Sequence, residues 1–254
     1  METLIAGSIG YWTADIIKRT FGDDHVVIVA AEPLQLEGSK LTCFPFSIMD
    51  EKFESIFSNY DFDRVIYVSD YLTFHGQPRA EVEELRRLLR LCKGSQTQQI
   101  AILLSQEACA DIRTGKTVML QSEEELCRYY AEVYYLPVKI IRCPFLCSAQ
   151  NPADYFYRIF RRIEEEREVE IAENPEQRTN FIRLEEVGEF LFRLFDAWDG
   201  KTETLNLFGC SKATFADLAA GIESACPGVK VEFLKKTPVY SLELVVNYVR
   251  TRLG

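Results

Sequence analysis

The sequence predicts an α/β protein: a doubly wound parallel sheet covered by helices on both faces, followed by a small C-terminal α/β lobe. Three observations predict it. The chain opens with a strand, a glycine turn, a helix and a second strand within its first thirty residues. Short β-branched runs then recur, each separated from the next by a helix-like or loop segment, and crossovers of that kind join parallel strands. After residue 150 the pattern shifts to longer helices with short strands between them.

The first strand is the apolar run Leu4 to Ala6, followed by a helix over Ala14 to Phe21 and the β-branched run His25 to Ala30. Further strands are expected at Leu41 to Phe44, Arg64 to Val68, Gln99 to Leu104, Val138 to Arg142 and Phe181 to Leu184. Between them, Val82, Leu85, Leu88, Leu89 and Cys92 form an apolar helical stripe, with Glu83, Glu84, Arg86, Arg87 and Arg90 facing water. The charges of Arg161 to Arg167 likewise read as a solvated helix face. The later part carries helices at Ala153 to Glu165, Glu185 to Trp198, Thr214 to Ala225 and Ser241 to Arg252. Its strands are Glu168 to Ile171, Thr204 to Leu207 and Lys230 to Phe233. The expected division is 1–150 for the sheet domain and 151–254 for a smaller lobe interleaved with it. The stop at Arg252-Leu253-Gly254 fits the excised N-terminal part of a longer protein with a fused C-terminal domain.

With 254 residues, 47% of them hydrophobic, the chain can bury a large core. A formal net charge of -10 argues against nucleic acid and anionic membrane surfaces, which need clustered Lys and Arg. It does not exclude one anionic small molecule held in a local cleft. The eight cysteines are scattered, several in apolar runs, and with two His no structural metal cluster is visible, so no metal ligand is assigned. Thiols used as buried hydrophobes, the absence of an export signal and the absence of an apolar run of ~18 residues predict a cytoplasmic protein.

Between the first strand and helix stands Gly7-Ser8-Ile9-Gly10-Tyr11-Trp12-Thr13. A turn there lets a helix N-terminus present free N–H groups to a pyrophosphate, although a tight turn that binds nothing has the same local pattern. The spacing resembles the G-x-x-G-x-x-G fingerprint of the extended short-chain dehydrogenase/reductase (NAD-dependent epimerase/dehydratase) family, with Thr13 in place of the third glycine. The resemblance continues in order through Arg64 to Ser69, Ala101 to Ser105, Leu136 to Phe145, Asn180 to Val187 and Thr204 to Leu207. It implies a Rossmann-type fold, NAD or NADP as cofactor and a nucleotide or nucleotide-sugar ligand. It also implies a homodimer through the helices Pro78 to Cys92 and Glu123 to Tyr134. The cofactor-binding positions it implies are Gly7, Ser8, Ile9, Gly10, Tyr11, Trp12 and Ser69, with Glu32 at the adenosine ribose and Ser47 at the adenine edge.

The family's Tyr-x-x-x-Lys pair, in which the lysine lowers the tyrosine pKa for proton transfer, would fall on Lys116 and Leu120, which cannot do that work. A literal match at Tyr135 to Lys139 contains Pro137 and enters a strand, so it reads as accidental. The family's serine or threonine would follow Ser105, where Gln106-Glu107-Ala108 stands. No catalytic residue is therefore assigned. His25 and His75 read as structural or surface residues, and in the cluster Tyr129, Tyr130, Tyr134 and Tyr135 some rings read as core packing, with one able to enter a nicotinamide pocket. Three functions remain. The first is a pseudoenzyme, a catalytically degenerate domain binding a nucleotide or metabolite as a sensor. The second is an active epimerase, dehydratase or reductase using Lys116, Glu107 or Tyr130. The third is a scaffold whose glycine turn is closed by Trp12 or Tyr11.

Overall fold

The computed structural model describes residues 1–9, 12–22, 24–31, 36, 38, 40–69, 81–95, 97–106, 115–147, 155–209 and 212–234. The chain first runs β1 (Glu2–Gly7), α1 (Ala14–Phe21), β2 (His25–Val29), β3 (Leu41–Phe44), α2 (Phe53–Asn59), β4 (Arg64–Val68), α3 (Glu81–Gly94), β5 (Gln99–Ser105), α4 (Gly115–Tyr134), β6 (Val138–Cys143) and β7 (Phe145–Cys147). There follow α5 (Tyr155–Glu165), β8 (Glu168–Ile171), β9 (Arg178–Arg183), α6 (Leu184–Asp196), β10 (Glu203–Asn206), β11 (Lys212–Thr214), α7 (Phe215–Ala225) and β12 (Lys230–Phe233). Each strand expected from the sequence is present. The segments α2, β7 and β11 are additional, and the expected helix Ser241 to Arg252 lies outside the described residues.

The central sheet has seven strands in the order β10-β6-β5-β4-β1-β2-β3. Every neighbouring pair in it is parallel. It is the Rossmann-type doubly wound sheet: the chain builds outward from β1 to β3, then returns to the other side of β1 with β4. Strand alternation divides the core into two layers. Ile5, Ile28, Ile66, Leu103 and Ile141 face one side with α1 and α6, whereas Leu4, Val27, Val65, Ile102 and Ile140 face the other with α2, α3 and α4. On the first side α1 and α6 meet closely at Gly188, where a Cβ would lie 2.5 Å from Thr20 Oγ1.

The chain forms two compact units, the first comprising 1–158 with 180–211 and the second 159–179 with 212–254. The first holds the whole parallel sheet and the β7–β9 pairing of Phe145 with Phe181. In the second, β8 and β12 pair in parallel over the buried side chains of Val169 and Ile171. Its helix α7 is capped reciprocally by Thr214 and Asp217, each accepting a backbone N–H from the other.

Candidate functional site

In an open parallel sheet the crevice outside the carboxyl ends of the strands, where strand order reverses, is the natural ligand position. Here the reversal falls between β1 and β4, with Gly7 opposite Val68 and Val68 opposite Leu103. Gly7 has φ +104, and a Cβ there would lie 2.3 Å from the Val68 carbonyl oxygen, so only glycine fits. Ser8 N–H then donates to that same oxygen at 2.8 Å, which turns the chain out over the sheet edge.

The turn closes when Trp12 N–H donates to Ile9 O at 3.0 Å. Thr13 caps α1, its hydroxyl accepting from Ile16 N–H at 3.3 Å. The side chains of Ile9 and Trp12 are buried in the α1/α6 layer, and Trp12 stacks on Phe21 with ring centroids 6.3 Å apart. Their side chains therefore serve packing, and Ser8 beside them is half-buried. Gly10, Tyr11 and Glu32 lie outside the described residues. Ser69 is fully buried just beyond β4, donating its N–H to Leu103 O at 3.1 Å. Ser47 directs its hydroxyl into its own turn, accepting from Met49 N–H at 2.8 Å.

Helix α4 begins at Gly115, two turns before the start expected at Glu123, and so carries both positions of the implied catalytic pair. Leu120 is fully buried and packs with Met119. The side chain of Lys116, and the whole of Glu107 and His75, fall outside the described part. Tyr130 is buried on the α2/α3/α4 side of the sheet, in contact with the rings of Tyr129 and Tyr134.

Around this edge five polar residues are buried: Ser69, Ser105, Thr117, Glu123 and Glu124. Sequence reasoning missed the last three, because residues inside an apparent helix give no sign of which sheet edge they meet. Glu124 holds the Arg142 guanidinium in a fork, Nε to Oε1 at 2.6 Å and Nη2 to Oε2 at 2.7 Å, and Arg128 adds a longer contact at 3.2 Å. Arg142 thus binds α4 to β6, while its carbonyl accepts Leu207 N–H at 2.9 Å.

The literal Tyr-x-x-x-Lys match is structural. Tyr135 stands 88% exposed, while Lys139 lies near the start of β6, at the end of the strand opposite Cys143. Its ammonium donates to Asp199 at 2.7 Å and Glu203 at 2.6 Å. His25 bridges Glu2 and Thr42 at the amino ends of β1, β2 and β3. Burial pushes the thiols of Cys92, Cys127 and Cys143 well up, for Cys127 aided by the nearby Glu123 and Glu124 charges, so none is a thiolate nucleophile. Among the described residues no group of His, Cys, Asp and Glu could hold a metal ion, and no helix is long and apolar enough to cross a membrane.

The sequence matches no family model and no curated protein. Solved structures resemble the chain over nearly its full length. UDP-glucuronic acid 4-epimerase from Bacillus cereus, in complex with UDP-glucuronic acid and NAD, is 15% identical with a TM-score of 0.76, covering 94% of this chain and 87% of that one. An NAD-dependent NDP-hexosamine 5,6-dehydratase involved in tunicamycin biosynthesis is 16% identical with a TM-score of 0.76, covering 94% and 86%. A GalE-like L-threonine dehydrogenase from Cupriavidus necator, in its holo form, is 18% identical with a TM-score of 0.76, covering 93% and 86%. The chain shares the fold of these NAD-dependent epimerase and dehydratase structures and of the GalE-like dehydrogenase.

Proposed function

We propose that this protein binds NAD or NADP across the β1/β4 reversal and acts on a nucleotide-linked sugar as an epimerase, dehydratase or reductase. The observation that carries the reading is Gly7: its α-carbon approaches Val68 so closely that no side chain fits, and α1 begins directly behind that turn. A bare backbone turn leading into a helix N-terminus suits a pyrophosphate, and Ser8, with the buried Ser69 and Ser105 along the same edge, suits the remaining polar groups of a dinucleotide. When bound, the nicotinamide takes up and returns a hydride. The fold shared with NAD-bound epimerases and dehydratases supports the same ligand class. In this reading proton transfer belongs to Lys116 or Glu107, the acid-base candidates left once Tyr130 is placed in the core. A homodimer through α3 and α4 belongs to the same reading.

A second reading is favoured by Leu120. Leu120, which the sequence count puts where the family's lysine would stand, is a fully buried apolar side chain. That suits a domain that binds the dinucleotide or a metabolite as a signal without turning over.

Calorimetric titration with NAD, NADP and their reduced forms, followed by assays on a panel of UDP-sugars, tests both. Binding with turnover that Lys116→Ala or Glu107→Gln removes supports the enzyme. Binding without turnover on any sugar transfers the function to the sensor. No binding up to millimolar dinucleotide sinks both.

A further inference from the structure

On the face of the first unit where α1 and α6 pack together lies a groove of ≈250 Å³. Its apolar lining comes from Ile16 and Thr20 on α1 and from Phe192 on α6. Ile16 and Thr20 are buried, but the Phe192 ring is 53% exposed, an aromatic side chain standing beside a hole it does not fill. The close approach at Gly188 holds the two helices at a fixed spacing, so the groove is part of the packed structure.

Its charges are arranged in two ways. Glu186 is engaged with Arg183, and Glu189 with Arg193, each pair local to α6. Arg19 on α1 and Glu185 on α6 are both exposed, and neither makes an ion pair or hydrogen bond among the described residues. One groove thus presents a cation without a partner, an anion without a partner, a projecting aromatic ring and an apolar hollow.

We propose that this groove is a contact between two copies of the chain, separate from the outer faces of α3 and α4. A two-fold axis places the same patch on itself, so each copy must supply both halves of every contact. This patch does: Phe192 of one copy enters the Ile16/Thr20 hollow of the other, and Arg19 of each meets Glu185 of its mate. A different protein would need to match the cation and the anion separately, whereas the two-fold satisfies both at once. Charge favours a copy for a second reason. The chain carries a net charge of -10, so two copies approach most easily where opposite charges alternate locally. The eight residues of the groove are fewer than the roughly 20–30 a side of a standard stable interface, so the contact is a weak, concentration-dependent one.

Sedimentation of the full chain from about 5 to about 500 μM, a range spanning weak association, tests it. For the native chain the weight-average mass is expected to rise across this range. In Phe192→Glu the mass at the highest concentration falls by half. Arg19→Glu and Glu185→Arg each weaken association about tenfold, and the double variant Arg19→Glu/Glu185→Arg restores it. All these positions except the helix spacing are exposed, and an unchanged circular dichroism spectrum confirms that each variant is folded. A native chain whose mass stays constant throughout, whether as monomer or as a dimer through α3 and α4, overturns the proposal. So does a mass unaffected by Phe192→Glu, which assigns any association to another face, or a double charge swap that fails to rescue either single variant.

Discussion

Arg142 and Glu124 face each other through two parallel hydrogen bonds, 2.6 and 2.7 Å long, which join the third turn of α4 to the end of β6 at the edge where the candidate ligand crevice opens. Glu124 is 4% exposed and Arg142 21% exposed, so removing one partner leaves a charge that water reaches poorly. Arg142→Met is expected to cost about 3 kcal/mol in urea unfolding, the lower end for breaking a buried pair. Arg142→Lys recovers only part of it, because an ammonium cannot reproduce the planar two-point contact. Equal stability of the lysine and arginine forms would show that the fork itself is unimportant.

Gly7 and Gly22 make a paired test of the turn. Both have positive φ, +104 and +60, but a Cβ at Gly22 meets nothing within 4 Å, whereas at Gly7 it would strike the Val68 carbonyl. Gly22, with ψ -114, lies outside the left-handed helical region, and Gly22→Ala is expected to cost about 2 kcal/mol, the backbone conformation alone. Gly7→Ala should cost at least about 3 kcal/mol and abolish dinucleotide binding, since β1 and β4 must separate. Thermal melts with parallel calorimetry check it, and a Gly7→Ala protein that binds as the native one does would remove the turn from the site.

The Lys139 cluster predicts a pH dependence at both extremes. Burial pulls the lysine pKa down, but its hydrogen bonds to Asp199 and Glu203 outweigh that and leave it raised. Its contribution to stability is therefore fully present below the ordinary lysine value of about 10.4 and is lost as pH rises through the raised folded value. The Lys139 hydrogen bond, followed by the Lys201 backbone N–H, holds the Asp199 carboxyl below its usual range. That contribution is present above about pH 4 and is lost as pH falls through the lowered folded value. Lys139→Met should remove the alkaline slope from a plot of urea stability against pH and shrink the acidic one, of which the Lys201 N–H retains a part. An alkaline slope retained in the variant would place that titration elsewhere.

The thiols sort by burial. Cys92, Cys127 and Cys143 are fully buried with raised pKa values, whereas Cys43, Cys147 and Cys226 are partly accessible. Burial also raises the Cys43 pKa, so it should react more slowly than its exposure alone implies. Labelling at neutral pH followed by peptide mapping should find the first three unmodified until denaturant is added. Rapid native modification of Cys127 would contradict the packing of α4.

Local pattern carried the sheet and most of its helices. β-Branched runs such as Val26-Val27-Ile28-Val29 and Ile100-Ala101-Ile102-Leu103 identify buried parallel strands because both faces are covered, and the glycine turn before Ala14 marks where the first crossover begins. The accidental nature of the Tyr135 to Lys139 match was legible too, since Pro137 and the strand that follows forbid a helical turn. What only tertiary structure decided is where each polar residue ends up. Ser47 bonds within its own turn, Tyr130 packs on a helix-covered face, and Thr117, Glu123 and Glu124 arrive at the carboxyl edge because α4 starts at Gly115. Periodicity is set by neighbours three or four residues away, so it reveals which face of a helix is apolar. The chain's return from 158 to 180, like the pairing of Glu124 with Arg142, is set by contacts between residues distant in sequence, whose favourable packing exists only once the sheet has assembled.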